Sequence, residues 1–556
     1  MYHLQNAMQA AKTSVRIEKE ETMRLNLIRR LVGAVALGTL TIASPALAEK
    51  VLRVAMTVAD VPLTSGQPSQ GNEGMRFLGP TVYDGLVLWD LSSADKAASL
   101  VPGLAESWAV DENDKTKWIF KLRRGVKFHD GSEFNADAVT WNFDKLMKRD
   151  APQFDQAQSV QASQLYGSIA SWRKIDDYTV EIATKAPDSV LPYNLTGLFF
   201  SSPKRWEEVG RDWNKFAAQP SGTGPWKVDK FVPRERVELV RNTNYWNQKR
   251  LPKSDRLVLL PMPDANTRVA ALLANQVDWI EAPPPDAVPR LKQSGMNVVA
   301  NVYPHVWPYQ ISLMDDSPFK DLRIRKAANL AIDRDGLVKL LGGLALPAKG
   351  MLDPGHPWFG KPSFDIKYDP EGARKLLAEA GYSEKNPVKV RIVIAPSGSG
   401  QMLPLPMSEY IKENFRDVGI DLEFVVMDWE ALRARRRAGA WAPENKGIHG
   451  VNNSWGLWDP DIALIKPSAS FEPVPTGFNW GQFNDAKVDE LARAAKTTFD
   501  PAQRDKILAE LHARIVDQAM WIWVVHDLGP RALSPKVKGF VPAQSWYQDL
   551  TPVEVQ

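Results

Sequence analysis

Residues 118–142 read WIFKLRRGVKFHDGSEFNADAVTWN, and the pattern within them changes twice. Residues 118–122 alternate in the manner of a half-buried strand. Arg124-Gly125 then turns the chain, 126–128 resumes as a short strand, and His129-Asp130-Gly131-Ser132 is a second turn signal. Asn135 stands where a helix N-cap belongs, with Val139, Phe143 and Leu146 following at helical spacing. A strand and a capped helix this close together predict alternating α/β layers.

The same alternation continues outward. Strands are predicted over 51–56, 177–182, 236–241, 256–260, 277–280, 388–394 and 421–426. Helices are predicted over 264–275, 321–332, 370–380, 405–418, 486–497 and 501–518, with Gly381 as the usual residue just past a helix end. This spacing argues for α/β layers rather than a bundle or a sandwich. No repeat of 20–50 residues and no long low-complexity linker interrupts it, so the lobes should pack directly. The segments Ala282-Pro283-Pro284-Pro285 and Trp307-Pro308-Tyr309 read as stiff connections.

At 556 residues the chain is long enough for more than one core, and 44% hydrophobic with 24% charged residues is an ordinary globular balance. The absence of cysteine excludes disulfides, cysteine-ligated metal centres, thiol nucleophiles and a cysteine-linked lipid anchor. A net charge of +3 with one broken basic run, Arg433-Ala434-Arg435-Arg436-Arg437, disfavours nucleic acid as a partner. The 20 tryptophans call for cores, or for flat ligands to stack on.

Residues 23–48, MRLNLIRRLVGAVALGTLTIASPALA, have a basic start, an apolar stretch and a small-x-small ending at Ala46-Leu47-Ala48. The apolar stretch is too short to span a bilayer, so an export signal is expected, with Met23 a candidate start. Removing 1–48 leaves 63 basic and 63 acidic residues. An exported protein without a lipid-anchor cysteine is expected in a periplasm.

Catalytic signatures are weak. Residues 355–361, GHPWFGK, mimic a phosphate loop but continue into Pro362 instead of a Ser or Thr. Ser397-Gly398-Ser399-Gly400 lacks nucleophile-elbow spacing, and the seven histidines are scattered. The expectation is a protein without catalysis, metal or cofactor.

Leu104-Ala105-Glu106-Ser107-Trp108 and residues 118–142 together closely resemble the signature of family 5 solute-binding proteins of ABC importers, which include the periplasmic oligopeptide and dipeptide binders. In family order follow Gly222-Thr223-Gly224-Pro225-Trp226, then Ser317-Pro318-Phe319-Lys320-Asp321 with Arg323, Arg325, Ala327 and Ala331-Ile332-Asp333. Residues 483–491, FNDAKVDEL, and Arg504 complete the match. The resemblance implies an α/β, two-lobed periplasmic-binding-protein clamshell with an extra subdomain on the first lobe. Lobe one would cover 49–88, 205–308 and 525–556, the subdomain 89–204, and lobe two 309–524. The hinge would lie near Trp307-Pro308-Tyr309 and Trp523-Val524-Val525. It further implies a monomer that closes on a peptide or similar small solute and delivers it to permease subunits in the inner membrane.

In the peptide binders a tryptophan followed three residues later by aspartate meets the ligand ammonium. Here Trp455 matches that tryptophan, but Trp458 stands in the aspartate's place and Asp459 comes one residue later. Burying an ammonium without that partner is expensive. The candidate pocket is therefore Trp455, Trp458, Trp480, Trp307 and Tyr309 as flat faces, with Asn452, Asn453, Asn479 and Asp459 as polar groups. That mixture also suits a neutral ring-bearing or hydroxyl-rich solute such as an oligosaccharide or opine. From other classes stand an exported hydrolase and a chaperone-like binder of extended chains.

Overall fold

The computed structural model of the chain describes residues 49–556 except 67–70, 303–304, 399 and 458, so the expected export signal lies outside the described residues. Val51–Met56 is a central strand, parallel to Arg256–Pro261 on one side and to Trp279–Glu281 on the other. Arg236–Arg241 and Trp226–Val232 extend the sheet by antiparallel pairing past the first neighbour; Arg531–Leu533 and Asn297–Val299 extend it past the second. The alternation read at 51–56 is the reason both faces are covered. Leu52, Val54 and Met56 enter one core, while Ala55 enters another beneath the helix Ala265–Leu273.

A second seven-stranded sheet runs Ala345–Pro347, Trp521–Asp527, His305–Ile311, Gly450–Asn452, Val388–Ile394 and Ile420–Val426, with Trp455–Gly456 pairing alongside His305–Ile311. Helices cover both of its faces. Leu322–Ala331, Pro370–Glu379 and Pro404–Arg416 lie on one side with Trp307, Tyr309 and Ile522, and Ala486–Thr497 and Pro501–Asp517 on the other with Val306, Trp521 and Trp523. The two sheets, each with its own cores, make the lobes of a two-lobed α/β clamshell.

Trp307-Pro308-Tyr309, read as a stiff connection, is instead part of a strand whose seven residues are all buried. Pro308 has no N–H for the ladder, and the register against Trp521–Asp527 shifts between Trp307 and Pro308, which lets a central strand accept a proline. Trp523-Val524-Val525 is likewise inside a strand. The chain passes from the first sheet to the second between Val299 and His305, and returns between Asp527 and Arg531, just outside the expected crossings.

Between Trp89 and Lys204 a four-stranded antiparallel sheet, ordered Ala105–Val110, Lys117–Leu122, Thr179–Thr184, Ile169–Asp176, carries the helices Ala136–Met147 and Gln156–Leu165. Asn135 caps the first helix by accepting from the Ala138 amide, and Val139, Phe143 and Leu146 enter the subdomain's core as their spacing predicts. Residues 126–128 form only a bridge, at Lys127 with Glu133, rather than a strand.

Candidate functional site

In both sheets the parallel strands end toward a common cleft, the usual place for a ligand in an α/β layer. From the first sheet come Thr57, Pro263 and Ala282, each just past a strand end; from the second come Pro396, Asn453 and Trp429. Two chambers of the cleft have different chemistry.

The smaller, about 140 Å³, is lined by Trp455, Phe478 and Asp459 of the second lobe, Tyr193 and Asn194 of the subdomain, and Tyr547. The helix Trp429–Ala438, capped by Asp428 at the Ala431 amide, brings Arg433, Arg436 and Arg437 to it. Their spacing of three and four residues places all three on one helix face. Arg436 is 8% exposed; its Nε donates to Gln310 Oε1 at 3.1 Å and its guanidinium lies 4.6 Å from the Trp455 ring centre. Nη2 has no hydrogen-bond partner. Burial, and then Arg433 and Arg437, lower its pKa to about 9, which leaves it a cation at neutral pH. A buried cation with an open donor in a cavity is a place for an anion.

Asp459 is buried, and Oδ1 accepts from the Ile462 amide at 2.8 Å. Burial first, and Asp461 next, push its carboxyl up to about 7. Asp461 has the opposite environment. Lys466 and Lys496 each lie 3.1 Å from it and Asn194 Nδ2 donates to it at 3.1 Å, so these partners outweigh burial and hold its pKa below the ordinary value.

Three of the expected residues meet here. Trp455 fixes its ring by donating Nε1–H to the Ile462 carbonyl at 2.8 Å and sits edge-on to Phe478; Asn453 and Asp459 line the same chamber. Trp458 lies outside the described residues. The others are committed elsewhere. Trp307 donates to Gln401 Oε1 at 2.8 Å and Tyr309 meets Ser408 Oγ at 3.2 Å; strand alternation turns both toward the helix Pro404–Arg416. Asn452 donates to the Pro308 carbonyl, Asn479 ties together the loop from Ala469 to Phe483, and Trp480 packs with Val393, Leu432 and Val451. The arginine face was not among the expected site residues, although the spacing of Arg433, Arg436 and Arg437 carried its signal.

The larger chamber, about 310 Å³, is walled by Pro263, Pro284, Pro396, Pro404, Leu344 and Leu405 among others. On its wall Glu281 lies between Arg76 at 2.8 Å and Arg531 at 3.3 Å and accepts from Trp279 Nε1 at 2.6 Å. These two arginines overcome burial and hold its carboxyl below the ordinary value. Asp527 caps the Gly529 amide, and burial pushes its carboxyl up to about 6. Among the described residues no helix is long and apolar enough to cross a membrane, and no cluster of three or more His, Asp or Glu could hold a metal ion.

Residues 99–510 match the model of the bacterial extracellular solute-binding proteins, family 5 Middle. The glutathione-binding protein GsiB of Escherichia coli (strain K12) is 30% identical over 526 residues, 91% of this chain and 95% of that one. Heme-binding protein A of Haemophilus influenzae is 29% identical over 502 residues, 85% of this chain and 87% of that one. Among solved structures, the dipeptide binding protein of Pseudoalteromonas sp. SM9913 in complex with Met-Leu superposes with a TM-score of 0.78 at 22% identity, covering 91% of this chain and 100% of that one. MoaA of A. tumefaciens R10 in complex with mannopinic acid gives 0.73 at 23% identity, covering 92% and 100%. The chain belongs to family 5 of the bacterial extracellular solute-binding proteins.

Proposed function

We propose that this chain is a periplasmic, non-catalytic receptor that closes its lobes on a small organic acid, a peptide or a related amino-acid conjugate, and presents it to the permease of an ABC importer. The lobes would be 49–88 with 205–299 and 531–556 for the first, 89–204 for its subdomain, and 305–527 for the second. The observation that carries the reading is the open Nη2 of Arg436, buried beside Trp455 with Arg433 and Arg437 lining the same chamber. A carboxylate there completes the guanidinium's hydrogen bonds and compensates its charge. A neutral hydroxyl-rich solute does only the first, so the chamber favours the acid. The solutes named for relatives, glutathione, Met-Leu and mannopinic acid, are themselves organic acids.

The test is native mass spectrometry of protein purified from a periplasm, followed by calorimetry with the solute it carries. We expect an intact acid, and at least a tenfold loss of affinity in Arg436→Met, the loss of about 1.4 kcal/mol or more that one charge-assisted contact supplies. A bound solute with no anionic group, or an unchanged affinity, overturns the reading; steady conversion of the solute during incubation overturns the absence of catalysis.

A further inference from the structure

The arginine chamber carries more positive charge than its own residues answer. Arg436 bonds the neutral Gln310, and the charges that act on it are those of Arg433 and Arg437. Arg437 is half-buried and makes no hydrogen bond or ion pair among the described residues; burial first, and Arg433 next, lower its pKa. Arg433 pairs with Glu430 at 3.2 Å, but the Glu430 side chain is 53% exposed, and such a surface pair binds weakly. The other walls add little negative charge. Asp459 stays protonated up to about 7, Asp461 is committed to Lys466 and Lys496, and the His305 ring is neutral, since burial, Arg76 and His526 lower its pKa to about 3.

Three cations therefore face one exposed carboxylate and the C-terminal end of their own helix, which supplies about half a negative charge. More than one unit is left uncompensated, and like charges one turn apart on a helix repel each other. One carboxylate does not balance this face; two do. The arginines are also too widely set to share a single acid group. Side chains three or four residues apart start about 5–6 Å from each other. Arg436 is the inner one, covered by the rings of Trp455 at 4.6 Å and Phe478 at 5.4 Å, while Arg433 and Arg437 are partly exposed. The chamber of about 140 Å³ keeps the ligand short, because a cavity of roughly 150 Å³ holds one benzene ring.

We infer that the solute presents two carboxylates to this helix face, one to Arg436 and one to Arg437 with Arg433, joined by two or three carbons. The inference rests on the reading of the chamber as an anion site and adds the number and spacing of the charges. A short dicarboxylate has this layout, as does a larger solute that ends in one.

Calorimetry of the full chain, stripped of carried solute, tests it with glutarate, with glutaric acid monoamide, and with sulfate. The monoamide keeps the shape and loses one charge; sulfate keeps both charges but places them on one centre. Glutarate should bind at least tenfold tighter than either, the gain of a second charge-assisted contact. Arg437→Met should bring glutarate and the monoamide within threefold of each other, and Arg433→Met should narrow the gap in the same direction; circular dichroism checks that both variants are folded. Equal affinities for glutarate and its monoamide, sulfate binding as tightly as glutarate, an advantage that survives both variants, or no binding of any probe overturns the dicarboxylate class. The anion-site reading fails separately, through an Arg436→Met variant that binds glutarate and the monoamide as the parent does.

Discussion

Two buried carboxylates each sit between two cations, and they serve different parts of the molecule. Glu281 is held by Arg76 and Arg531 and by Trp279, all flanking the first sheet. Asp461 is held by Lys466 and Lys496, and it also accepts from Asn194 of the subdomain. Lys466 continues across to the Gln164 and Leu165 carbonyls at 2.6 and 3.1 Å. Nearby, Ser189 donates to the carbonyls of Ala495 and Lys496, and Arg504 returns a bond to Ser189. The first cluster stiffens one lobe. The second ties lobe two to the subdomain, so an opening between these two parts would change its exposure to water.

The largest effect that tests this contrast follows removal of either carboxylate. Glu281→Gln leaves two buried arginines without their carboxylate, and Asp461→Asn leaves buried Lys466 without one while Lys496 keeps Glu472 at 3.3 Å; each loss, about 3–5 kcal/mol with Glu281→Gln the larger, is read as a lower urea midpoint. Only Asp461→Asn should also raise the radius of gyration of the chain in the presence of its solute, read by small-angle scattering, because only that cluster joins lobe two to the subdomain. The same change in both variants would erase the distinction.

A near-neutral aspartate gives an effect of similar or smaller size. Unfolded, Asp459 ionises near about pH 3.9; folded, it stays protonated up to about 7. Between those values the folded state binds the extra proton. Its stabilising contribution is therefore complete below about pH 4 and lost as pH rises through 7, by roughly 4 kcal/mol at most. Asp459→Asn should flatten that part of the stability profile relative to the parent. The carboxylate formed above pH 7 shares a chamber with Arg436, so the parent's affinity for an acid should fall several-fold from pH 6 to pH 8. Asp461, whose carboxyl is held below the ordinary value, keeps its charge over this range, and the asparagine variant should show no such fall.

The layers were legible because apolar spacing is a local property. The helix predicted over 486–497 has those bounds, and Asn135 caps where its sequence context placed it. The inner strand His305–Ile311 was not legible, since full burial on both faces removes alternation and Pro308 reads as a breaker. Trp455 was singled out through its place in a motif, and it lines the smaller chamber. Trp307 and Trp480 look the same in sequence, and only tertiary packing decides that they face cores. The arginines were hidden for the opposite reason: a basic run ordinarily marks a solvated helix face, and here the rings of Trp455 and Phe478 cover Arg436.

The smallest effect isolates a single bond across the junction. Asn194 Nδ2 donates to Asp461 Oδ2, while both lysines remain beside the carboxylate in its absence. Asn194→Ala therefore removes a link between subdomain and lobe two without stranding a charge. If that bond forms only on closure, its loss of about 1–2 kcal/mol bears on the closed form, and solute affinity should fall threefold to tenfold. The unfolding midpoint of the solute-free chain should barely move, because the open form lacks the bond already. A midpoint that drops in step with affinity would mean that the junction is part of the resting fold, and that closure takes place on some other surface.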